Sequence, residues 1–195
     1  MSSEADLWQA VLPVVDALET LSAKYYIGGS IASSFAGIAR FTQDADLVAD
    51  LRPAHAVALA QRLQASYYVD GERIARAIEG RRSFNAIHLA TAFKVDVFVV
   101  GDLPFAREAL VRRVAIRIPD LGRVLYFSSA EDIVLQKLQW FADGGGVSDR
   151  QWHDLQGVLR VQGQTLDLDY LGTWASRLGL AELLLRALDE AGLGG

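Results

Sequence analysis

Leu7, Val11, Val14, Val15, Leu18 and Leu21 recur at helical spacing, so residues 5–24 predict an amphipathic helix. The period then changes. Tyr25–Ile27 is a short apolar run stopped by Gly28 and Gly29, which reads as a strand. Ser30 stands where a helix N-cap belongs, and the small-residue segment Ile31–Ala39 predicts the helix behind it. Residues 44–49, DADLVA, alternate as a strand does. Residues 51–63 predict a second helix with Pro53 near its start, and 67–69 a short strand; 74–80 carry no clear period. Phe84–Leu89 and Phe93–Val100 are strand-like, with so few residues between them that a hairpin or a tight connection follows. A helix over 105–112 precedes two short strands, Val114–Ile118 and Val124–Phe127, around the turn PDLG.

The texture changes after Phe127. Ser128 or Ser129 caps a helix containing EDIVLQKLQWFA, with Glu131 and Asp132 in the first turn, where the helix dipole favours them. Gly144, Gly145 and Gly146 stop it. A helix over 148–160 carries Trp152, Leu155, Val158 and Leu159 on one face, and two more are predicted over 167–178 and 180–191. The pattern implies an α+β chain: a mixed β-sheet flanked by helices over residues 1–127, followed by a C-terminal helical bundle over 128–195. No repeat or low-complexity segment interrupts it.

Composition narrows the function classes. Half of the 195 residues are hydrophobic (51%), with 4 Trp, 6 Tyr and 8 Phe, which excludes a disordered chain. The net charge of −5 gives no basic tail for nucleic acid. Cys is absent, which excludes disulfides and zinc–thiolate sites. The first residues, MSSEADLWQA, hold no apolar signal region, and no apolar run approaches the ~20 residues of a membrane span. A cytoplasmic protein with no membrane partner is the expectation. His55, His88 and His153 are scattered without metal-ligand spacing, and Trp140–Phe141 reads as packing.

The chemistry concentrates in three places. On a strand, residues two apart share a face, so Asp44 and Asp46 project together while Ala45 and Leu47 face the other way. Two such carboxylates repel unless a cation lies between them, and hard oxygen donors suit Mg²⁺ or Mn²⁺. Asp96 is the lone acid in the apolar strand FKVDVFVV. It needs a partner or a metal, and Lys94, two residues before it, is available. If the two strands are neighbours, three carboxylates converge. Gly28, Gly29 and Ser30 form the third feature: a turn that allows close backbone approach, a helix start with free N–H groups, and a hydroxyl, all suited to phosphate. Arg40, just before the DAD strand, adds a cation.

The order Gly28-Gly29-Ser30, then Asp44-x-Asp46, then Asp96 resembles the signature of the nucleotidyltransferase superfamily with the DNA polymerase beta-like fold. The stretch SAEDIVLQKLQWFADGGGVSDRQWHDLQGVL is similar to the region after the catalytic domain in abortive-infection and toxin–antitoxin nucleotidyltransferases of the AbiEii kind. The resemblance implies metal-dependent transfer of a nucleoside monophosphate from an NTP, with pyrophosphate leaving. It assigns Asp44 and Asp46 as metal ligands, and Asp96 as third ligand and activator of the acceptor hydroxyl. Gly29 and Ser30 would hold the triphosphate. Lys137 and Asp154 match the family's downstream Lys and Asp as nucleotide-binding residues, although Arg150 and Asp154 are also spaced for a helical ion pair. The acceptor stays open among RNA, a protein side chain and a small molecule; an antitoxin protein is an implied partner. Two alternatives stand beside this expectation: a non-catalytic module that binds an NTP and regulates, and a small-molecule, antibiotic-type nucleotidyltransferase.

Overall fold

In the computed structural model, which describes residues 4–39 and 42–194, the alternating run at 44–49 becomes the middle strand of a seven-stranded sheet. In chain order the elements are α1 (Glu4–Thr20), β1 (Tyr25–Ile27), α2 (Gly29–Ala36), β2 (Asp44–Ala49), α3 (Ala56–Leu63), β3 (Tyr67–Tyr68), α4 (Gly71–Glu79), β4 (Ser83–His88), β5 (Lys94–Val99), α5 (Pro104–Val111), β6 (Val114–Ile118), β7 (Arg123–Phe127), α6 (Ala130–Asp143), α7 (Asp149–Gln162), α8 (Leu168–Arg177) and α9 (Ala181–Glu190). The strand order is β3-β4-β5-β2-β1-β7-β6. β2 runs parallel to β5 and β1 parallel to β7; the other pairs are antiparallel. The architecture is thus α+β, a mixed sheet with flanking helices and a helical C-terminal part.

The described residues divide into two compact units: those of 1–29 and 41–127 form a sheet unit, and those of 30–40 and 128–195 form a helical unit. In the sheet unit, Ala45, Leu47 and Ala49 of β2 and Val95, Val97 and Val99 of β5 are buried, and α1 packs against both strands with Val11, Val14, Val15 and Leu18 in its core. The Tyr67 hydroxyl donates to the Ala10 carbonyl (2.6 Å), tying the short strand β3 to α1. α5 sets Ala109 and Leu110 against Tyr26, Val100 and Val48. Val48 shares its face with Asp44 and Asp46, so α5 closes the end of that face away from the aspartates.

In the helical unit, α6 packs on α7 and α8, and α9 packs on α7 and α8. The described residues of 30–40, which the sequence assigns to the sheet domain, group here with the later helices. Close approach explains this. A Cβ on Gly37 would lie 2.8 Å from the Val158 amide nitrogen, Ile38 packs on Gly157, and Gln162 Nε2 donates to the Ala36 carbonyl (2.6 Å).

Local starts and stops depart from expectation at several points. α2 begins at Gly29, one residue before Ser30, so Ser30 lies inside the first turn and is not the cap; its carbonyl accepts from the Ser33 and Ser34 hydroxyls. The helix expected over 51–63 is a 3-10 turn, Pro53–His55, followed by α3. Where the sequence shows no clear period over 74–80, the chain forms α4: Asp70 caps it by accepting from the Glu72 and Arg73 amides, and Ile74, Ala77 and Ile78 are its buried stripe. Ser129 caps α6, accepting from the Asp132 amide.

Candidate active site

β2 and β5 are in register with Asp46 opposite Asp96 and Asp44 opposite Lys94. Neighbouring strands lie about 4.8 Å apart and paired residues share a face, so Asp46 and Asp96 project side by side. Their faces agree with burial: in both strands the carboxylate positions are half-buried while the alternate positions are fully buried. On the other flank β4 places Asn85 opposite Asp96 and Ile87 opposite Lys94. The sheet therefore carries a polar row Asp46–Asp96–Asn85 and beside it the row Asp44–Lys94–Ile87.

The glycine turn is built onto the same strand. The Gly28 amide donates to the Asp46 carbonyl (2.8 Å). Gly29 has φ +55°, and a Cβ placed on it would fall 2.7 Å from Asp46 Cγ and closer still to Oδ2. Only glycine satisfies both demands, the left-handed conformation and the contact with the carboxylate. Asp44 is oriented separately, by the buried Thr42, whose hydroxyl donates to Asp44 Oδ1 (2.8 Å).

Among the described residues, Lys94 places a cation on this face. Its ammonium donates to Asp96 Oδ2. That hydrogen bond pushes the Lys94 pKa above its usual value; partial burial opposes it, and the charges of Asp96, Asp44 and Asp46 add to it. The ammonium thus feels all three carboxylates at once.

The remaining predicted residues lie elsewhere. Gly28 and Gly29 belong to the sheet unit with the aspartates, whereas Ser30, Lys137 and Asp154 belong to the helical unit. Within that unit Lys137 Nζ donates to Asp154 Oδ2 (2.7 Å), and both side chains are almost wholly buried. A buried ion pair of this kind joins α6 to α7 in its own right. Asp132 of α6 is also fully buried, accepting from the Ser129 and Tyr170 hydroxyls (2.9 and 2.7 Å). Arg40 lies outside the described residues. Thr42 and Asn85 went unread in the sequence: Thr42 sits in a short polar loop, and Asn85 gains its meaning only from the β4–β5 register.

Among the described residues no three His, Cys, Asp or Glu side chains are already gathered as a metal cage. The donor chemistry nonetheless fits a divalent cation. Three carboxylates from adjacent strands supply hard oxygens on one face, and the cluster already holds a positive charge there, the Lys94 ammonium.

No protein-family model and no curated protein matches the chain. Solved structures do. The antibiotic-resistance factor ANT(2'')-Ia, in its solution structure, is 14% identical, with 92% of this chain and 97% of that chain covered and a TM-score of 0.56. The same protein crystallised with adenylyl-2''-tobramycin gives 12% identity, coverage of 87% and 95%, and a TM-score of 0.54. An antigenic nucleotidyltransferase-like protein from Paracoccidioides brasiliensis is 16% identical, covers 96% of this chain and 94% of its own, and has a TM-score of 0.54. At these identities the likeness is one of fold: the chain has the nucleotidyltransferase fold.

Proposed function

We propose that this protein is a nucleotidyltransferase that transfers a nucleoside monophosphate from an NTP to an acceptor hydroxyl. The observation that carries the reading is the register of β2 and β5, which sets Asp96 beside Asp46 and one step from Asp44, with the Gly28–Gly29 turn bonded to the same strand. The acceptor oxygen attacks the α-phosphorus in line, the bond to pyrophosphate breaks, and the hydroxyl proton passes to Asp96 as base. Gly28, Gly29 and Ser30 bind the triphosphate through backbone amides and the Ser30 hydroxyl. Thr42 keeps Asp44 turned to the site. Mg²⁺ or Mn²⁺ would be held by Asp44, Asp46 and Asp96 and would neutralise charge on the phosphates. Lys137 and Asp154 serve by holding α6 on α7.

A small, hydroxyl-bearing acceptor is the reading best supported. ANT(2'')-Ia, of the same fold, is seen in complex with adenylyl-2''-tobramycin. A net charge of −5 also suits a neutral or cationic acceptor better than a polyanion. The likeness of residues 128–160 to AbiEii-type proteins supports a second reading, an RNA or protein acceptor within a toxin–antitoxin or phage-defence pair held in check by an antitoxin. Incubation with each α-labelled NTP and Mg²⁺ or Mn²⁺ in cell extract tests both. Label in a small molecule is expected; label in RNA or protein moves the assignment to the second reading. NTP binding with no label in any fraction leaves a regulatory module.

A further inference from the structure

We propose that Lys94 is a positioning residue for this site, a built-in counter-ion that holds the carboxylate row together without metal and is displaced when a divalent cation binds. The inference rests on the metal-dependent reading above and deepens it.

The argument begins with register. Asp44, Lys94, Asp46 and Asp96 occupy two adjacent positions on each of two adjacent strands, all on one face. Three like charges in that space repel, and Lys94 is set among them with its ammonium on Asp96 Oδ2. An Asp96 oxygen in contact with an ammonium cannot also bind a divalent ion closely without bringing two cations together, which raises the energy of both. Metal binding and the Lys94–Asp96 contact are therefore in competition. Lysine is suited to yield. Its four-carbon stem is flexible and its head strongly hydrated, and the Lys94 side chain is 42% exposed, so the ammonium has solvent to swing into. Asp96 is tighter at 20%, and so stays on the sheet while its partner leaves.

The test is calorimetric titration of the intact protein with MnCl₂, without nucleotide, on wild type, Lys94→Gln, Lys94→Arg and Asp46→Asn. Lys94→Gln should bind Mn²⁺ about tenfold more tightly than wild type, on the scale of one partly screened charge at contact. Its metal-free melting temperature should fall, and Mn²⁺ should restore it. Lys94→Arg, which keeps the charge on a head that grips a carboxylate more firmly, should bind Mn²⁺ no more tightly than wild type. Asp46→Asn should bind at least tenfold more weakly, which checks the underlying site by itself. Equal or weaker Mn²⁺ binding by folded Lys94→Gln, with Asp46→Asn still impaired, overturns the role of Lys94 and leaves the metal site standing. Wild type and Asp46→Asn binding alike, or neither binding, overturns the metal site and the counter-ion role with it.

Discussion

A single hydrogen in place of a methyl group decides whether the glycine turn can meet β2. Gly29 combines a left-handed φ of +55° with a Cα against the Asp46 carboxylate. Gly29→Ala should lower turnover about 10²-fold or more, the scale of losing an electrostatic contact at a reacting centre. The accompanying backbone strain is only about 1–2 kcal/mol. A pyrophosphate-release assay beside a urea melt separates the two effects; a fully active Gly29→Ala protein would show that the turn does not set the Asp46 position. Thr42→Val keeps the shape and removes the donor to Asp44. It should weaken metal-dependent NTP binding about tenfold, as expected for one hydrogen bond to a charged group, readable by calorimetry. The three aspartates and the glycine pair were legible in the sequence because each breaks its local pattern: acids in apolar strands, two glycines between strand and helix. Thr42 and Asn85 break no pattern: the role of Thr42 appears only where its hydroxyl turns to Asp44, and that of Asn85 only from the β4–β5 register.

At the scale of elements, period carried most of the reading. β2, β5 and the four C-terminal helices follow from alternation, from apolar stripes and from the Ser129 cap. α4 was missed although Asp70 and the Ile74–Ala77–Ile78 stripe were present, because its first turn, Gly71-Glu72-Arg73, is polar and hides the period. Asp70→Ala should destabilise the protein by about 1 kcal/mol through loss of that cap, measurable as a shift in urea midpoint. A lysine and an aspartate 17 residues apart say nothing of each other in the sequence, and the Lys137–Asp154 contact exists only once α6 and α7 pack. Lys137→Ala should cost about 3–5 kcal/mol by taking the ammonium partner from the buried Asp154 carboxylate. Lys137→Met with Asp154→Leu should recover most of it. A double variant as unstable as the single would place the importance of these residues outside their mutual contact.

For the whole molecule, the central claim is that three carboxylates on one sheet face perform metal-assisted nucleotidyl transfer. The charge of the chain bears on the acceptor and not on this chemistry, so the claim is best tested before the acceptor is known. Asp46→Asn should lose metal-dependent NTP binding and turnover together. Asp96→Asn should keep most NTP affinity and still lose turnover by about 10²-fold or more, because the proposed mechanism has its carboxylate act on the acceptor hydroxyl. The most direct measurement is pyrophosphate release by Asp96→Asn against wild type in cell extract with Mn²⁺, at saturating NTP confirmed by calorimetry. Full NTP binding with release reduced about 10²-fold or more is expected; release at the wild-type rate would contradict the three-carboxylate mechanism.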